Sequence, residues 1–130
     1  MTSRNRAILW WALTIVVALI FLYVASSDAI YELTSPPGSF QVLLRKSYSI
    51  GAFAIVGYLL STALQASDRR RSVLFVGACV GTYSLQIEVI QALAGSHEGF
   101  LWNAVDVVCG LIGGWLGAFV QQLKIERLNP

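Results

Sequence analysis

Charged residues are scarce in this 130-residue chain, at 12% of the sequence, whereas ordinary soluble domains contain roughly 25%. Hydrophobic residues make up 56%. A soluble fold of this length could not hide that much apolar surface, whereas lipid can. The shortage of charge therefore excludes an ordinary soluble domain. It predicts an all-α integral membrane protein in which residues 1–130 form a single membrane domain.

Metal-ligand patterns, internal repeats and basic runs with interleaved aromatic residues are also missing. The net charge is only +2, and no basic face with interleaved aromatic residues is present, which argues against a nucleic-acid partner. The two cysteines, Cys79 and Cys109, lie in apolar stretches without a CxxC or Cys/His pattern, as buried structural cysteines do. We therefore expect neither a metal site nor a cofactor.

Four stretches of the sequence are long and apolar enough for membrane helices, each of which needs about 20 residues. They are Ala7–Ala25, Tyr48–Leu64, Ser72–Ala94 and Phe100–Val120. Between the first two, Pro36, Pro37 and Gly38 interrupt any continuous helix. The sequence thus predicts a four-helix transmembrane bundle, and the short second and third connections favour antiparallel neighbours.

Positive residues near the span ends predict how the bundle is inserted. Seven of the nine Lys and Arg residues fall on one side of the four spans: before the first, in DRRR between the second and third, and after the fourth. Only Arg45 and Lys46 fall on the other side. Because cytoplasmic segments carry the excess of Lys and Arg, we predict that both termini are cytoplasmic.

Two acids, Glu88 and Asp106, lie inside the third and fourth spans, where a carboxylate is costly. Each lies seven residues from the turn between these spans, which is about 10 Å of helix. We therefore expect the carboxylates to meet in the outer half of the membrane and to share a proton or a cation. The cations nearby are Arg45 and Lys46, whose long stems could reach them.

Acids that face the interior of a membrane bundle are candidates for a functional site. Alternatively, they could form a structural clasp, that is, a polar contact that only fixes the register between two helices. Gln91 and Asn103 suit helix–helix hydrogen bonds as well as they suit a binding site. The candidate ligand-binding residues are therefore Lys46, Glu88, Gln91, Asn103 and Asp106.

Residues spaced alternately four and three apart form one stripe on each of the last two spans. Toward the cytoplasm the stripes contain glycine: Gly77 and Gly81 on the third span, and Gly110, Gly113 and Gly117 on the fourth. Small residues at this spacing let membrane helices approach closely. We predict that these five glycines pack the third span against the fourth.

Two motifs on these spans read EVIQ (residues 88–91) and DVVCGLIGGWLG (residues 106–117), the second being an Asp with Gly at +7 and +11. The second span opens with RKSYSIGAF (residues 45–53), which contains Lys46. Together these motifs resemble the VanZ-like family over spans two to four. The resemblance implies a small bacterial inner-membrane protein, and some of its relatives are linked to teicoplanin resistance.

Three positions depart from the family pattern. Gly110 stands where the family has an Asn four residues after the Asp, and Ser49 stands where it has a His three residues after the Lys. The Arg usual between the Gln and the Asp is missing. The loss of these polar groups favours a structural role over a chemically active one.

Three functions remain open at this level. The first is an outward-facing polar pocket for a lipid or lipid-linked headgroup, and the second is a non-catalytic accessory subunit packed against a larger membrane protein complex. The third is an intramembrane hydrolase that uses paired carboxylates as acid and base, but no nucleophile–base pair or metal set accompanies the acids. We therefore expect binding or assembly rather than catalysis.

The predicted topology can be tested by labelling. With Cys79 and Cys109 replaced by alanine, a membrane-impermeant thiol reagent added outside should modify Ser96→Cys and spare Ser67→Cys, because the two positions lie on opposite sides. The reverse labelling pattern would contradict the predicted orientation.

Overall fold

The computed structural model describes residues 1–27, 41–95 and 100–130, and this part of the chain forms four helices and no strands. The helices are α1 (Ser3–Ser26), α2 (Gln41–Ala66), α3 (Val73–Leu93) and α4 (Phe100–Leu128). Each of the four is long and apolar enough to cross a membrane. The prediction of an all-α bundle of four potential membrane helices is therefore confirmed.

Three helices are longer than their predicted spans, and α2 and α4 extend furthest. Helix α2 begins at Gln41, seven residues before the predicted start, and α4 ends at Leu128, eight residues after the predicted end. At 1.5 Å per residue they measure about 39 Å and 44 Å, so both exceed the ~30 Å hydrocarbon core. Hydropathy detects only the part of a helix that lies in lipid. The extension of α2 places Arg45 and Lys46 on a helix rather than in a loop.

A tight turn ends α2. The backbone N–H of Asp68 donates to the carbonyl of Gln65 at 3.0 Å, and that of Arg69 donates to the carbonyl of Leu64 at 2.9 Å. Asp68 has a φ of 55°, the left-handed conformation in which glycine usually terminates a helix and which Asp adopts more readily than most other residues. The turn reverses the chain within a few residues and leads into α3.

Helix α4 packs extensively against both α2 and α3, while α1 packs mainly against α2. Direct contact between α2 and α3 is limited, although the connection between them is short. The expectation of close antiparallel neighbours therefore fits α3 and α4 well, but fits α2 and α3 only marginally. Helix α4 can pack closely against both α2 and α3 because two of its faces are glycine-rich.

Glycines set the distance between α4 and α2. A Cβ added to Gly57 would lie 2.7 Å from the Cα of Gly114, and one added to Gly117 would lie 2.7 Å from the backbone nitrogen of Tyr58. Gly113 also lies against α2. The neighbouring atoms at Gly57 and Gly117 belong to backbone, which cannot move aside as a flexible side chain can. The two helices therefore meet almost backbone to backbone.

The interface between α4 and α3 uses the remaining glycines. A Cβ on Gly110 would lie 2.5 Å from the Cβ of Ser84, while Gly77 and Gly81 lie against the Leu111 and Trp115 side of α4. The placement of the five glycines on one shared interface is thus corrected, because Gly113 and Gly117 face α2. Residues three apart on a helix point in directions about 60° apart around its axis. The predicted stripe on α4 therefore covers two neighbouring faces.

Helix α1 is held by hydrogen bonds more than by buried surface, since Thr14 is its single buried residue. Three side-chain hydrogen bonds join it to other parts of the bundle: Trp11 Nε1–H to Ser67 Oγ (2.9 Å), Tyr83 O–H to the Ala18 carbonyl, and Gln91 Nε2–H to the Ala25 carbonyl (2.7 Å). The three positions on α1 are seven residues apart and therefore lie on one face. Such bonds stabilise membrane helices by roughly 0.6–2 kcal/mol each.

The two ends of the bundle carry different charged residues. One holds Arg69–Arg71 together with Lys124, whose ammonium donates to the hydroxyl of Tyr58 at 3.2 Å, and we call it the basic end. The other holds Glu88 and Asp106, and we call it the acid end. The two differ in charge: the cations at the basic end outnumber its acids, whereas the acid end combines carboxylates with Arg45 and Lys46.

Adding one methyl group to the α2–α4 contact tests the role of the glycines. We expect Gly57→Ala or Gly117→Ala to lower the free energy of unfolding by about 1–3 kcal/mol, because overpacking a tight interface costs that much. Thermal unfolding in mild detergent measures the effect. Gly51→Ala is the matched control on α2, because nothing lies within 4 Å of a Cβ added there. It should be neutral or slightly stabilising, and equal losses at all three positions would contradict the interface.

Candidate binding site

Lys46 and Asp106 form an ion pair at the acid end. Each lies on the second turn of its helix, α2 for the lysine and α4 for the aspartate. The ammonium donates a hydrogen bond to Oδ1 of the carboxylate, and only 13% of each side chain is exposed. Each of these buried charges depends on the other, because removing either residue leaves the remaining charge uncompensated.

Ser84 holds the backbone of Asp106 against α3. Its hydroxyl donates to the main-chain carbonyl of Asp106 at 2.9 Å, and the serine is fully buried. The bond requires close approach, which Gly110, one turn later on α4, permits because it has no side chain. Asp106 is thereby fixed twice, through its backbone to α3 and through its carboxylate to α2.

Glu88 lies one turn beyond Ser84 on α3 and is 8% exposed. It lines the same cavity as Asp106, and Arg45 and Lys46 line that cavity from α2. A carboxylate inside a membrane bundle persists only with polar or charged surroundings, which this cavity supplies. The structure thus gathers four of the five candidate residues, Lys46, Glu88, Gln91 and Asp106, around one space.

Gln91 lies three residues after Glu88 and donates its amide N–H to the carbonyl of Ala25 at 2.7 Å. Helix α1 ends at Ser26, so this carbonyl is among the last four of the helix, which have no partner within it. Of the two roles that the sequence left open for Gln91, the geometry shows the helix–helix hydrogen bond. The side chain also lines the cavity, where its oxygen and second N–H can meet a ligand.

The cavity at the acid end has a volume of about 430 Å³, within the range of sites for drug-sized ligands. Its polar groups come from α2, α3 and α4, whereas Phe21, Val24 and Ala25 of α1 form an apolar wall. Tyr48 lines the cavity and is also 60% exposed, so it marks the mouth together with the exposed Val24. The mouth therefore opens at the surface between α1 and α2.

Asn103, one turn before Asp106 on α4, is half-buried and is not among the described residues that line the cavity. Its neighbour Trp102 contacts the site instead. The Nζ of Lys46 lies 5.7 Å from the centroid of the indole ring, close enough for a cation–π interaction. The lysine is thus held by Asp106 and by Trp102, both on α4.

Sequence reasoning missed the cavity's apolar walls. They consist of residues on α1 and α2 that resemble any other residue of a membrane span: Phe21, Val24, Ala25, Ala52 and Phe53. No sequence signal distinguishes them, because hydropathy is the same for a residue that faces lipid and one that faces a cavity. Tyr83, which binds the Ala18 carbonyl, could have been noticed, since a buried tyrosine hydroxyl usually has a partner.

The arrangement is suited to binding an amphipathic molecule, because charged and amide groups occupy one part of the cavity and aromatic and aliphatic side chains another. Within residues 1–27, 41–95 and 100–130, no three His, Cys, Asp or Glu side chains are grouped as metal ligands. Comparison with protein-family models, with curated proteins and with solved structures found no match. The chemistry of the cavity itself is therefore the basis for the function proposed below.

A double-mutant cycle tests the ion pair. We expect Lys46→Met and Asp106→Asn each to destabilise the protein, and the double variant to lose less than the sum, with a coupling of about 1–3 kcal/mol as for contacting residues. The physical reason is that each single variant leaves one buried charge unpaired, while the double variant leaves none. Thermal unfolding in detergent provides the four values.

Lys124→Met combined with Asp106→Asn is the control cycle, because Lys124 lies at the basic end and contacts Tyr58. Substitutions at distant sites add within about 0.5 kcal/mol. Additive losses in the Lys46 cycle, equal to those of the control, would show that the pair contributes nothing to folding.

Proposed function

We propose that this protein binds the headgroup of a lipid or lipid-linked molecule in the cavity at the acid end and carries out no chemistry on it. The observation that carries the proposal is the combination of a charged floor, made by Lys46, Asp106 and Glu88, with an apolar wall from α1. A small water-soluble ligand has no need for that wall. An acyl or prenyl chain does.

The position of the mouth supports a ligand that arrives from the bilayer. Tyr48 and Val24 are exposed on the outside of helices that are long and apolar enough to span a membrane, and the exposed sides of such helices face lipid. A lipid could therefore place its head between α2, α3 and α4 while its chain stays against α1 and α2. The volume of about 430 Å³ suits a headgroup and the first part of a chain.

The charges of the site restrict the headgroup. Arg45 and Lys46 are balanced by Glu88 and Asp106 among the lining residues, so the formal charges sum to zero when all four are ionised. A balanced site holds zwitterionic or hydroxyl-rich heads better than strongly anionic ones, because each donor and acceptor can be satisfied without burying net charge. The Lys46–Asp106 pair would meet the polar part of the head.

Membership of the VanZ-like family is part of the proposal. The residues that carry the resemblance include Lys46, Glu88, Gln91 and Asp106, and all four line this single cavity. Their convergence supports a site common to that family rather than four unrelated polar residues. With both termini in the cytoplasm of a bacterial inner membrane, as the distribution of Lys and Arg favours, the cavity would open in the outer leaflet.

Native mass spectrometry of the full chain, purified in mild detergent, tests the proposal. We expect a lipid bound in near one-to-one ratio to the wild-type protein. In a Glu88→Gln/Asp106→Asn variant that still unfolds cooperatively, the bound fraction should fall about tenfold, as the loss of ~1.4 kcal/mol of binding free energy would cause. Asp68→Asn is the control, because it also removes an acid and Asp68 does not line the cavity. It should retain the lipid.

Two outcomes would contradict the proposal. If the folded Glu88→Gln/Asp106→Asn variant keeps its lipid, the acids are a structural clasp and the cavity is not the binding site. If the wild-type protein is recovered in a stoichiometric complex with other membrane proteins and without bound lipid, it is an accessory subunit of that complex.

A further inference from the structure

A second cavity lies at the basic end, on the opposite side of the bundle from the proposed headgroup site. Its volume is about 170 Å³, and it is enclosed by the end of α2, the turn that follows, the start of α3 and the last part of α4. The space is large enough for a small polar group, because a single water molecule needs only about 10–15 Å³ of such volume.

Two arginines of the DRRR turn line this cavity, Arg70 and Arg71, whereas Arg69 does not. The left-handed conformation of Asp68 reverses the chain just before them. The guanidinium of Arg71 lies 5.4 Å from the ring centroid of Phe75, which steadies it at the start of α3. In the part of the chain that the structure describes, neither Arg70 nor Arg71 forms an ion pair with a carboxylate.

The inner wall of the cavity is a chain of amide and hydroxyl groups. Gln121 on α4 is 5% exposed, and its carbonyl oxygen accepts a hydrogen bond from Ser61 at 3.1 Å. Its nitrogen donates one hydrogen to the amide oxygen of Gln65. An amide nitrogen carries two hydrogens, and the described residues provide no acceptor for the second. A buried donor beside an arginine-lined space is an unsatisfied group that an anion would satisfy.

We infer that this cavity binds a phosphate group, presented either by a phosphomonoester lipid of the adjoining leaflet or by a soluble phosphate ester. The two guanidinium groups offer the planar forks that phosphate oxygens accept. Gln121, which lines the same cavity, supplies a further donor, and the volume leaves room for one tetrahedral oxyanion. The inference does not depend on the headgroup site, because the two cavities share no residue.

Glu126 sets a limit on this site. Its carboxylate belongs to an exposed residue on α4 and also lines the cavity, where it repels a fully ionised phosphate. The carboxylate therefore lowers the affinity that the arginines provide. Removing the Glu126 carboxylate should therefore strengthen the binding of an anion and weaken the binding of a cationic ligand.

The experiment uses the full chain in phosphatidylcholine nanodiscs and two probes. Glycerol 3-phosphate is titrated into the buffer, and in a separate series phosphatidic acid is added to the nanodisc lipid at constant total charge, with phosphatidylglycerol as the balance. Binding is followed by calorimetry for the soluble probe and by ³¹P NMR for the lipid. Saturable binding of only one probe identifies the source of the phosphate, and either result supports the site.

Four charge variants separate a site from general electrostatic attraction. We expect Arg70→Gln and Arg71→Gln each to weaken binding about tenfold, a loss of the size expected for one charge-assisted contact, ~1.4 kcal/mol. Arg69→Gln makes the same charge change on a residue outside the cavity, and it should alter the affinity less than about twofold because a surface charge acts weakly through screened solvent. Glu126→Gln should raise the affinity several-fold.

Equal effects of the three arginine variants would overturn the inference, because the turn would then act only as a diffuse positive surface. Weaker binding in Glu126→Gln, or no saturable binding of either probe to the wild-type protein, would overturn it as well. All four variants change residues that are exposed to solvent. Their folding is checked by thermal unfolding. Gln121→Leu would be a poor test of the site, because it would also break the hydrogen bonds to Ser61 and Gln65.

Discussion

The near contact of backbones between α4 and its two neighbours is the constraint on which the rest of this structure depends. Gly57 and Gly114 bring α2 and α4 together, and Gly110 brings α4 against Ser84 of α3. At that separation the ammonium of Lys46 reaches the carboxylate of Asp106. In lipid, where hydrophobic burial does not drive helices together, small residues and polar bonds supply the association. The glycines therefore position the charged site as well as stabilise the bundle.

Polar groups inside the bundle are used in two distinct ways. Gln91, Tyr83 and the Trp11–Ser67 pair hold α1, a helix that buries little surface. Lys46, Asp106 and Glu88 instead surround a space of about 430 Å³. The first set joins helices directly, and of its members Gln91 also lines the cavity. The second keeps a charged cavity open beside an apolar wall, which is why we assign ligand binding to it.

The two cavities differ in charge and in size. At the acid end the lining cations and acids are equal in number, and the exposed lining residues, Val24 and Tyr48, lie on α1 and α2. At the basic end Arg70 and Arg71 meet one opposing acid, Glu126, in a smaller space. A charge-balanced cavity with an apolar wall suits an amphipathic molecule, while a smaller cationic one suits a single anionic group. Under the two proposals, the bundle binds an amphipathic molecule at one end and a phosphate group at the other, by different chemistry.

The sequence alone determined the class of protein, the four helices and the acid end. These follow from local properties: length, hydropathy, and the rule that a carboxylate in a span needs a partner, which pointed to Glu88 and Asp106 with Arg45 or Lys46. The structure pairs Lys46 with Asp106. Only the tertiary structure decided that Gly113 and Gly117 face α2, that Gln91 binds the end of α1, and that residues of α1 form a cavity wall. These depend on how helices rotate and pack against one another. Apolar residues and backbone carbonyls have the same sequence pattern whichever neighbour they meet, so periodicity could not distinguish the partners.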